Sequence, residues 1–349
     1  MQQILLSRAF AREGADVRFL VPAKAGRSAS CTDDGIGLHP EIMPAKGPKF
    51  LRALPPLLSM LRSLRRINAD IYQTWMPGRG SSTMALYCRI KRIPYIYAIM
   101  SNMDLDGTNE RKLGRLDRWL YHFAIRHAAL VTAETQHELE LLQERFGLKG
   151  MLVRNLCPVP DDADAGTERN IILWVGSFRD LKRPHMFAEL ARRIPTHDFV
   201  MIGGPFGSNP ELFNQVAEKA EKLPNLKLTG QLQSAEMRPY YRKAIALALT
   251  SEVEGFPNVI LEAWREGTPV VSTFDPDGML TEHNLGYYAE DIDGLEAGLR
   301  RLIDDMPTRV AMGRRAIEYV RENHDPKSLA RQVIQAVCQL VRKPMEVQV

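Results

Sequence analysis

The stretch Glu254-Gly255-Phe256-Pro257-Asn258-Val259-Ile260-Leu261-Glu262 joins a glycine-containing turn to the first turn of a helix. Its two carboxylates have seven residues between them. Pro257 and Asn258 stand where a helix begins, and Gly267 follows where it would end. The apolar run 244–249 before the stretch and Thr268-Pro269-Val270-Val271 after it predict flanking strands. This order of strand, turn, helix and strand predicts one unit of a parallel α/β sheet.

The turn also predicts a binding site. The backbone N–H groups from Gly255 to Val259 would converge at the helix N-terminus, where the helix dipole favours an anion such as a diphosphate. Carboxylates repel phosphate, so the expected targets of Glu254 and Glu262 are sugar hydroxyls on either side of it. The inferred ligand is therefore a sugar linked through a diphosphate to a nucleoside. The alternative is an ordinary amphipathic helix with two solvated glutamates.

This stretch resembles the E-x7-E motif of the retaining glycosyltransferases of family 4. The resemblance covers nearly the whole chain and is strongest from about 170 to 325. It implies an α/β protein of the GT-B fold, in which two Rossmann-like, doubly wound domains face each other across a cleft. We expect an acceptor-side domain at 1–160, a nucleotide-sugar domain at 161–325, and a C-terminal helix within 326–349 that packs back toward the first domain.

Composition narrows the class of protein. The 349 residues are 45% hydrophobic and 25% charged, as expected for about two globular domains. The four cysteines are scattered without a CxxC pair, which argues against a disulfide framework or a zinc site and for a reducing compartment. The first residues make a poor signal peptide because their apolar run is short.

Charge is distributed unevenly. Residues 1–160 carry 23 Lys and Arg against 14 Asp and Glu, a net +9, and residues 161–349 carry 23 against 28, a net −5. The basic excess between 42 and 103 is opposed only by Asp70 and consists of Lys46, Lys49, Arg52, Arg62, Arg65, Arg66, Arg79, Arg89, Lys91 and Arg92. Such a face suits an anionic membrane surface or acceptor, or is simply solvated. Nucleic acid is disfavoured because stacking aromatics are not interleaved with these residues.

Strand-like and helix-like segments alternate along the chain, which predicts parallel sheets covered on both faces. In the first half we predict strands at 15–21, 70–75, 94–100 and 129–133, and helices at 1–13, 50–66, 81–91, 111–127 and 135–146. In the second half we predict strands at 171–175, 198–202, 226–228, 245–249 and 269–272. Helices there should start near Pro184, Pro210, Ser234, Asn258, Asp293, Pro307 and Pro326.

Positive charge for a diphosphate is expected in Gly176-Ser177-Phe178-Arg179-Asp180-Leu181-Lys182, which follows a strand. Ligands of open α/β sheets bind beyond the carboxyl ends of strands, and Gly176 would let the chain approach the ligand closely. The segment is similar to the family's glycine–basic–lysine segment, in which an Arg and a Lys hold the donor diphosphate. The resemblance places Lys182 on the expected position, while Ser177 stands where the family usually has Arg and Arg179 takes over that role. We take Glu254, Lys182 and Arg179 as the candidate catalytic residues.

Other donor contacts follow from the resemblance. Gly203 and Gly204 match a glycine turn near the donor, although a plain strand-to-helix turn fits equally well. Leu232, in Gly230-Gln231-Leu232, matches a segment whose backbone meets the nucleobase. Because a backbone contact puts little constraint on the side chains, the sequence does not identify the nucleobase.

The acceptor side is less defined. Asp104-Leu105-Asp106 is a DxD triplet, but two carboxylates alone make a weak metal site, so we expect no metal. Many family members have a histidine near the position of Ser101, and this chain lacks it. We take Asn102 and Asp104 as candidates for contact with the acceptor or the donor sugar.

Together these features predict a retaining glycosyltransferase that moves a sugar from a nucleotide-diphosphate sugar, with a UDP-sugar favoured, to a glycan or lipid-linked hydroxyl acceptor. The resemblance implies front-face displacement without a cofactor or essential metal. It also implies polysaccharide or glycolipid biosynthesis in the cytoplasm, with peripheral attachment to the inner membrane face left open. The alternatives are a non-catalytic, transferase-like binding protein and a GT-B sugar-nucleotide epimerase.

One departure from the family concerns the start of the chain. Family members open with a strand and a glycine-rich loop before the helix that matches residues 1–13, and this sequence begins at that helix. We therefore expect either a chain shortened relative to the natural product or a degenerate member. Either would lack a central strand of the first sheet.

Overall fold

A computed structural model describes residues 2–22, 30–31, 36–41, 54–75, 77–166, 168–207 and 210–342. The chain divides into two compact units. The first unit contains Met1–Leu156 together with Pro326–Val349, and the second contains Cys157–Asp325.

The elements are numbered along the chain. The strands are β1 Arg18–Pro22, β2 Ser30–Cys31, β3 Gly37–Glu41, β4 Tyr72–Trp75, β5 Tyr95–Ala98, β6 Leu130–Ala133, β7 Met151–Leu152, β8 Ile171–Val175, β9 Asp198–Ile202, β10 Leu226–Leu228, β11 Ala244–Leu249, β12 Val270–Ser272 and β13 Gly286–Tyr288. The helices are α1 Gln2–Arg12, α2 Leu54–Ile67, α3 Arg79–Lys91, α4 Asn102–Leu105, α5 Thr108–Arg111, α6 Arg115–Arg126, α7 Gln136–Phe146, α8 Pro184–Arg193, α9 Glu211–Ala220, α10 Ser234–Lys243, α11 Asn258–Trp264, α12 Met279–Glu282, α13 Ile292–Asp304, α14 Met306–Asn323 and α15 Pro326–Arg342.

The second unit is built on a six-stranded parallel sheet in the order β10-β9-β8-β11-β12-β13. This is the doubly wound Rossmann order, in which the strand sequence reverses between the first and fourth strands of the unit. Those two strands are β8 and β11. Because ligands of such sheets bind at the reversal, beyond the carboxyl ends of the strands, the loops that follow β8 and β11 mark the place to look for a site.

Two apolar cores cover the faces of this sheet. One includes Trp174 and Phe187, and the other includes Leu247 and Trp264. Strand β11 reads Ala-Ile-Ala-Leu-Ala-Leu and is buried at every residue, as expected for a central strand of a parallel sheet with helices on both sides. A buried strand of this kind gives the loop after it a fixed starting point.

The described residues of the first unit form two sheets. Strands β4, β5, β6 and β7 form a parallel sheet in that order, and β1, β3 and β2 form a second sheet. In the described part of the chain, β1 pairs with β3 and not with β4, although the rings of Phe19 and Trp75 stack with centroids 6.2 Å apart.

Helices α1 and α15 pack together in the first unit. Leu156, Leu329 and Ala330 are buried in a small apolar cluster with Ala9 of α1. Arg331 donates from Nε to the Glu13 carboxylate at 2.6 Å. The C-terminal helix therefore lies on the first unit although its sequence follows the second.

The fold prediction, an α/β protein with two Rossmann-like domains, is confirmed. The predicted strands at 171–175, 198–202 and 226–228 are confirmed at both ends. The single helix predicted over 111–127 is wrong at its start, because the extended backbone of Gly114 separates α5 from α6. Strands β2, β3, β7 and β13 were not expected from the sequence.

Only part of the basic region between 42 and 103 lies within the residues that the structure describes. Arg62, Arg65 and Arg66 are exposed on α2, whereas Arg79 donates from Nε to Asp117 at 2.7 Å. Lys46, Lys49 and Arg52 lie outside the described residues. Among the helices of the described chain, none combines the length and apolar character needed to span a bilayer.

Candidate functional site

The loops after β8 and β11 lie side by side at the point where the strand order reverses. The Thr250 hydroxyl donates to the Lys182 carbonyl at 2.6 Å, and the Glu252 amide donates to the Leu181 carbonyl at 2.8 Å. The Trp174 indole donates in turn to the Thr250 hydroxyl oxygen at 3.0 Å. These bonds join the two loops that the sequence analysis identified separately.

Arg183 also joins these two loops through hydrogen bonds, a role that was not expected from the sequence. Its Nε donates to the Thr250 carbonyl at 2.7 Å, and one terminal nitrogen donates to the Ser251 carbonyl at 3.2 Å and the Thr273 hydroxyl at 2.7 Å. Its backbone has φ 45°, in the left-handed region that non-glycine residues rarely adopt. The available sequence signal was its position immediately before Pro184, the first residue of α8.

Lys182 and Glu254, both predicted as catalytic, form an ion pair across the two loops. Their side chains are 14% and 13% exposed, so the charges meet in a partly dehydrated setting where electrostatic interactions are stronger than in water. An ammonium can bind a phosphate oxygen, and a carboxylate can accept hydrogen bonds from sugar hydroxyls. The pair therefore offers both kinds of contact at one place.

Glu262, the other carboxylate of the motif, is held by Tyr241. The Tyr241 hydroxyl donates to Glu262 Oε2 at 2.7 Å. Burial raises the pKa of Tyr241 well above its ordinary value, so the phenol keeps its proton and remains a donor. Tyr241 is fully buried at the end of α10. No sequence signal distinguished it from other core aromatics.

The helix after the turn between these carboxylates begins where the sequence predicted it. Pro257 has an extended backbone, and α11 begins at Asn258. Gly255, Asn258 and Val259 are half-buried, while Phe256 is buried in the apolar core with its ring 5.8 Å from that of His324. Phe256 therefore serves packing with its side chain, and only its backbone is left for a ligand.

Two of the predicted glycines, Gly176 and Gly203, leave little or no room for a side chain where the loops after β8 and β9 meet. Gly203 has φ 154°, and a Cβ there would lie 1.8 Å from the Gly176 carbonyl oxygen. A Cβ on Gly176 would lie 3.1 Å from the Trp174 ring. Gly204 has room for a Cβ, and Leu232 packs its side chain against the apolar core. The glycines at 176 and 203 let the loops after β8 and β9 touch, and the same requirement would exist without a ligand.

Arg179 stands at the edge of this group of loops. Its guanidinium lies over the Phe206 ring, with Cζ 4.6 Å from the ring centroid. The second unit thus brings together Lys182, Glu254 and the turn of the motif. Arg179 lies on the same loop as Lys182, and Glu262 lies one turn into α11.

Asn102 and Asp104 belong to the first unit. They lie in the short helix α4 rather than in a loop. Asp104 is 4% exposed, its Oδ1 accepts a 2.9 Å hydrogen bond from Asn109, and burial raises its pKa. Among the described residues no cluster of three or more His, Cys, Asp or Glu side chains could hold a metal ion.

The first unit has a pocket elsewhere. It has a volume of about 390 Å³, open to solvent, at the carboxyl ends of β4, β5 and β6. Asn102 and Asp104 are not among its lining residues; the polar and aromatic side chains that line it include Gln73, Trp75, Thr132, Glu134, Arg154 and Asn155. Trp75 ends the strand predicted at 70–75, and no sequence signal groups it with the other residues of the pocket.

Comparison with known proteins identifies both parts of the chain. A family described as glycosyl transferase 4-like domain matches residues 5–154, and one described as glycosyl transferases group 1 matches residues 169–305. The chain therefore carries two glycosyltransferase domains, which together account for most of its length.

Curated relatives share parts of the sequence. The chain is 27% identical over 225 residues to D-inositol 3-phosphate glycosyltransferase of Corynebacterium efficiens, covering 56% of this chain and 53% of the relative. It is 25% identical over 166 residues to the lipopolysaccharide core biosynthesis glycosyltransferase LpsE of Rhizobium meliloti, covering 44% and 46%. The chain thus spans about half the length of the curated relatives it matches.

Solved structures show the same fold over nearly the whole chain. Anabaena HepE in complex with UDP and glucose matches with a TM-score of 0.76 at 15% identity, covering 97% of this chain and 95% of that one. Sucrose-phosphate synthase from Thermosynechococcus elongatus matches with a TM-score of 0.76 at 16% identity, covering 96% and 91%. At these identities the likeness establishes the GT-B fold.

Proposed function

We propose that this glycosyltransferase of GT-B fold transfers a sugar from a nucleotide-diphosphate sugar to a hydroxyl acceptor with retention of anomeric configuration. The second unit binds the donor at the reversal of its strand order, and the first unit binds the acceptor. The single observation that carries the proposal is the Lys182–Glu254 pair between the loops after β8 and β11.

Lys182 contacts the donor diphosphate in this proposal. Negative charge develops on the leaving nucleoside diphosphate as the glycosidic bond breaks, and a fixed cation stabilises that charge without having to reorganise. The loops hold Lys182 in place through its own carbonyl, which accepts from Thr250. Arg179 supplies a second cation from the same loop.

The two glutamates bind sugars on opposite sides of the diphosphate. Glu254 accepts hydrogen bonds from the transferred sugar, and its carboxylate is aligned by the Lys182 ammonium. Glu262 accepts from the ribose hydroxyls, and its carboxylate is aligned by the Tyr241 hydroxyl at 2.7 Å. Each carboxylate thus has a protein donor that aligns it, and a carboxylate can accept several hydrogen bonds at once.

Retention follows from front-face displacement. The acceptor oxygen forms its bond to the anomeric carbon on the face from which the diphosphate leaves, and a departing phosphate oxygen takes the acceptor proton. Residues Lys182 and Arg179 carry the positive charge at the phosphates, so the proposal needs no essential metal.

The acceptor pocket lies at the carboxyl ends of β4 to β6 in the first unit. Trp75 offers a ring face for a sugar, and Thr132, Glu134 and Asn155 offer polar groups that suit hydroxyls. Asn102 and Asp104 remain proposed acceptor-side residues, with Asp104 acting through the position of α4 because its carboxylate is buried and bonded to Asn109.

The comparisons support the substrate class that we propose. The HepE structure holds UDP and glucose, which favours a UDP-sugar donor. LpsE acts in lipopolysaccharide core biosynthesis, which favours a glycan or lipid-linked acceptor. The exposed arginines of α2 would then attach the protein peripherally to the anionic inner face of the membrane.

The experiment that tests this function measures release of free nucleoside diphosphate from UDP-, GDP- and ADP-sugars by the full chain. We expect release with one donor, abolished in Lys182→Ala, and product NMR showing a retained anomeric configuration. Binding of the donor without turnover would instead indicate a non-catalytic binding protein, and conversion of the sugar nucleotide without an acceptor would indicate an epimerase.

A further inference from the structure

Arg179 and Phe206 form a cation–π pair in the second unit. The guanidinium Cζ lies 4.6 Å from the centroid of the Phe206 ring, within the range of about 6 Å over which such pairs attract. Phe206 is 55% exposed. The ring is therefore largely outside the apolar core, and its described partner is the Arg179 guanidinium.

The sheet fixes this pair by its register. Beyond the end of the β8–β9 ladder, Phe178 and Pro205 form one further parallel bridge, and the Phe178 amide donates to the Gly204 carbonyl at 3.0 Å. Arg179 and Phe206 are the next residue on each side. The close contact of Gly203 with the Gly176 carbonyl brings the two loops into this register.

Arg179 differs from the two basic residues beside it. Lys182 is paired with Glu254, and Arg183 donates to three acceptors. Within the described residues the Arg179 guanidinium has no hydrogen-bond or ion-pair partner, and its Nε is buried without an acceptor. Its fixed contact is therefore the face of Phe206, and its terminal N–H groups are left for a ligand.

We propose that Phe206 is a positioning residue for Arg179, holding the guanidinium where it binds the donor diphosphate. This inference rests on the proposed function of the second unit.

The test compares binding of a nucleoside diphosphate with binding of the matching nucleoside. Calorimetry gives the dissociation constant of UDP, or of GDP or ADP if that is the one bound, and NMR titration gives that of the nucleoside. The variants of the full chain are Phe206→Leu, Phe206→Tyr, Arg179→Gln and the double variant Arg179→Gln/Phe206→Leu. Tyr288→Leu is the matched control, because Tyr288 is an aromatic residue of the same unit that is 47% exposed.

Phe206→Leu should weaken diphosphate binding about two- to fivefold, the effect of one exposed cation–π pair, and leave nucleoside binding and thermal stability unchanged. Phe206→Tyr should bind like the wild type, since the ring is retained. In the Arg179→Gln background, Phe206→Leu should have no further effect. Tyr288→Leu should bind like the wild type.

If Phe206→Leu weakened binding of the nucleoside and of the nucleoside diphosphate equally, the inference would be overturned, because the ring would then contact the base. Additive losses in the double variant, or unchanged diphosphate binding in Phe206→Leu, would overturn it as well. A wild-type chain that binds none of the three diphosphates would overturn the proposed function and this inference with it.

Discussion

Substituting Lys182, Glu254 or both should separate the contribution of this ion pair to stability from its contribution to turnover. With side chains 14% and 13% exposed, the pair lies between a surface pair, which contributes about 0–1 kcal/mol, and a buried pair, whose disruption costs about 3–5 kcal/mol. We expect Lys182→Met or Glu254→Gln alone to lower the free energy of unfolding by about 1–3 kcal/mol. The cause is desolvation of the charge or dipole left without its partner.

The double variant Lys182→Met/Glu254→Gln should regain part of that stability, because no charge is left unpaired. Turnover should stay at least about a hundredfold below wild type in all three variants, the scale seen when one group that stabilises the transition state is removed. Urea unfolding and release of nucleoside diphosphate measure the two quantities on the same preparations. Recovery of turnover in the double variant would refute the assignment, since the pair would then act only through the structure of the loops.

Further predictions concern the nucleoside side, the membrane and the cysteines. Glu262→Ala should weaken binding of the bare nucleoside diphosphate in calorimetry while Glu254→Ala mainly reduces transfer; equal losses of binding would contradict their placement on opposite sides of the diphosphate. Binding to anionic vesicles should fall with salt and by about 1 kcal/mol for each charge removed among Arg62, Arg65 and Arg66; binding to neutral vesicles, or no binding, would mean a solvated face. Burial raises the pKa of Cys157 to about 12 and Cys338 is exposed, so peptide mapping after alkylation at pH 8 should find Cys338 modified and Cys157 protected; rapid modification of Cys157 in the folded chain would count against its burial.

The second unit could be predicted well because its sequence and its structure follow the same local rules. Short aliphatic runs such as Ile171–Val175 are central parallel strands, and Pro184 and Pro326 mark the first residues of helices. Strand β13 escaped prediction because Gly286-Tyr287-Tyr288 lacks an aliphatic run. Its place at the sheet edge is set by pairing with β12, which no local pattern reveals.

Residues of the candidate site could be predicted only where a single sequence segment contains a recognisable motif. The motif located Glu254 and Glu262, and the loop after β8 located Lys182. The partners Tyr241 and Phe206 come from other segments, and their roles depend on contacts across the sheet. Asp104 shows the converse, because a carboxylate predicted to contact a ligand is buried and accepts a hydrogen bond from Asn109.

The most direct test of the account is a crystal structure of the full chain with its nucleoside diphosphate, screened first among UDP, GDP and ADP. We predict the ribose hydroxyls within about 3 Å of the Glu262 carboxylate, and the phosphates against Lys182, Arg179 and the amides of the turn that begins at Gly255. Nucleotide bound away from the loops after β8 and β11, or phosphates out of reach of Lys182, would contradict the account.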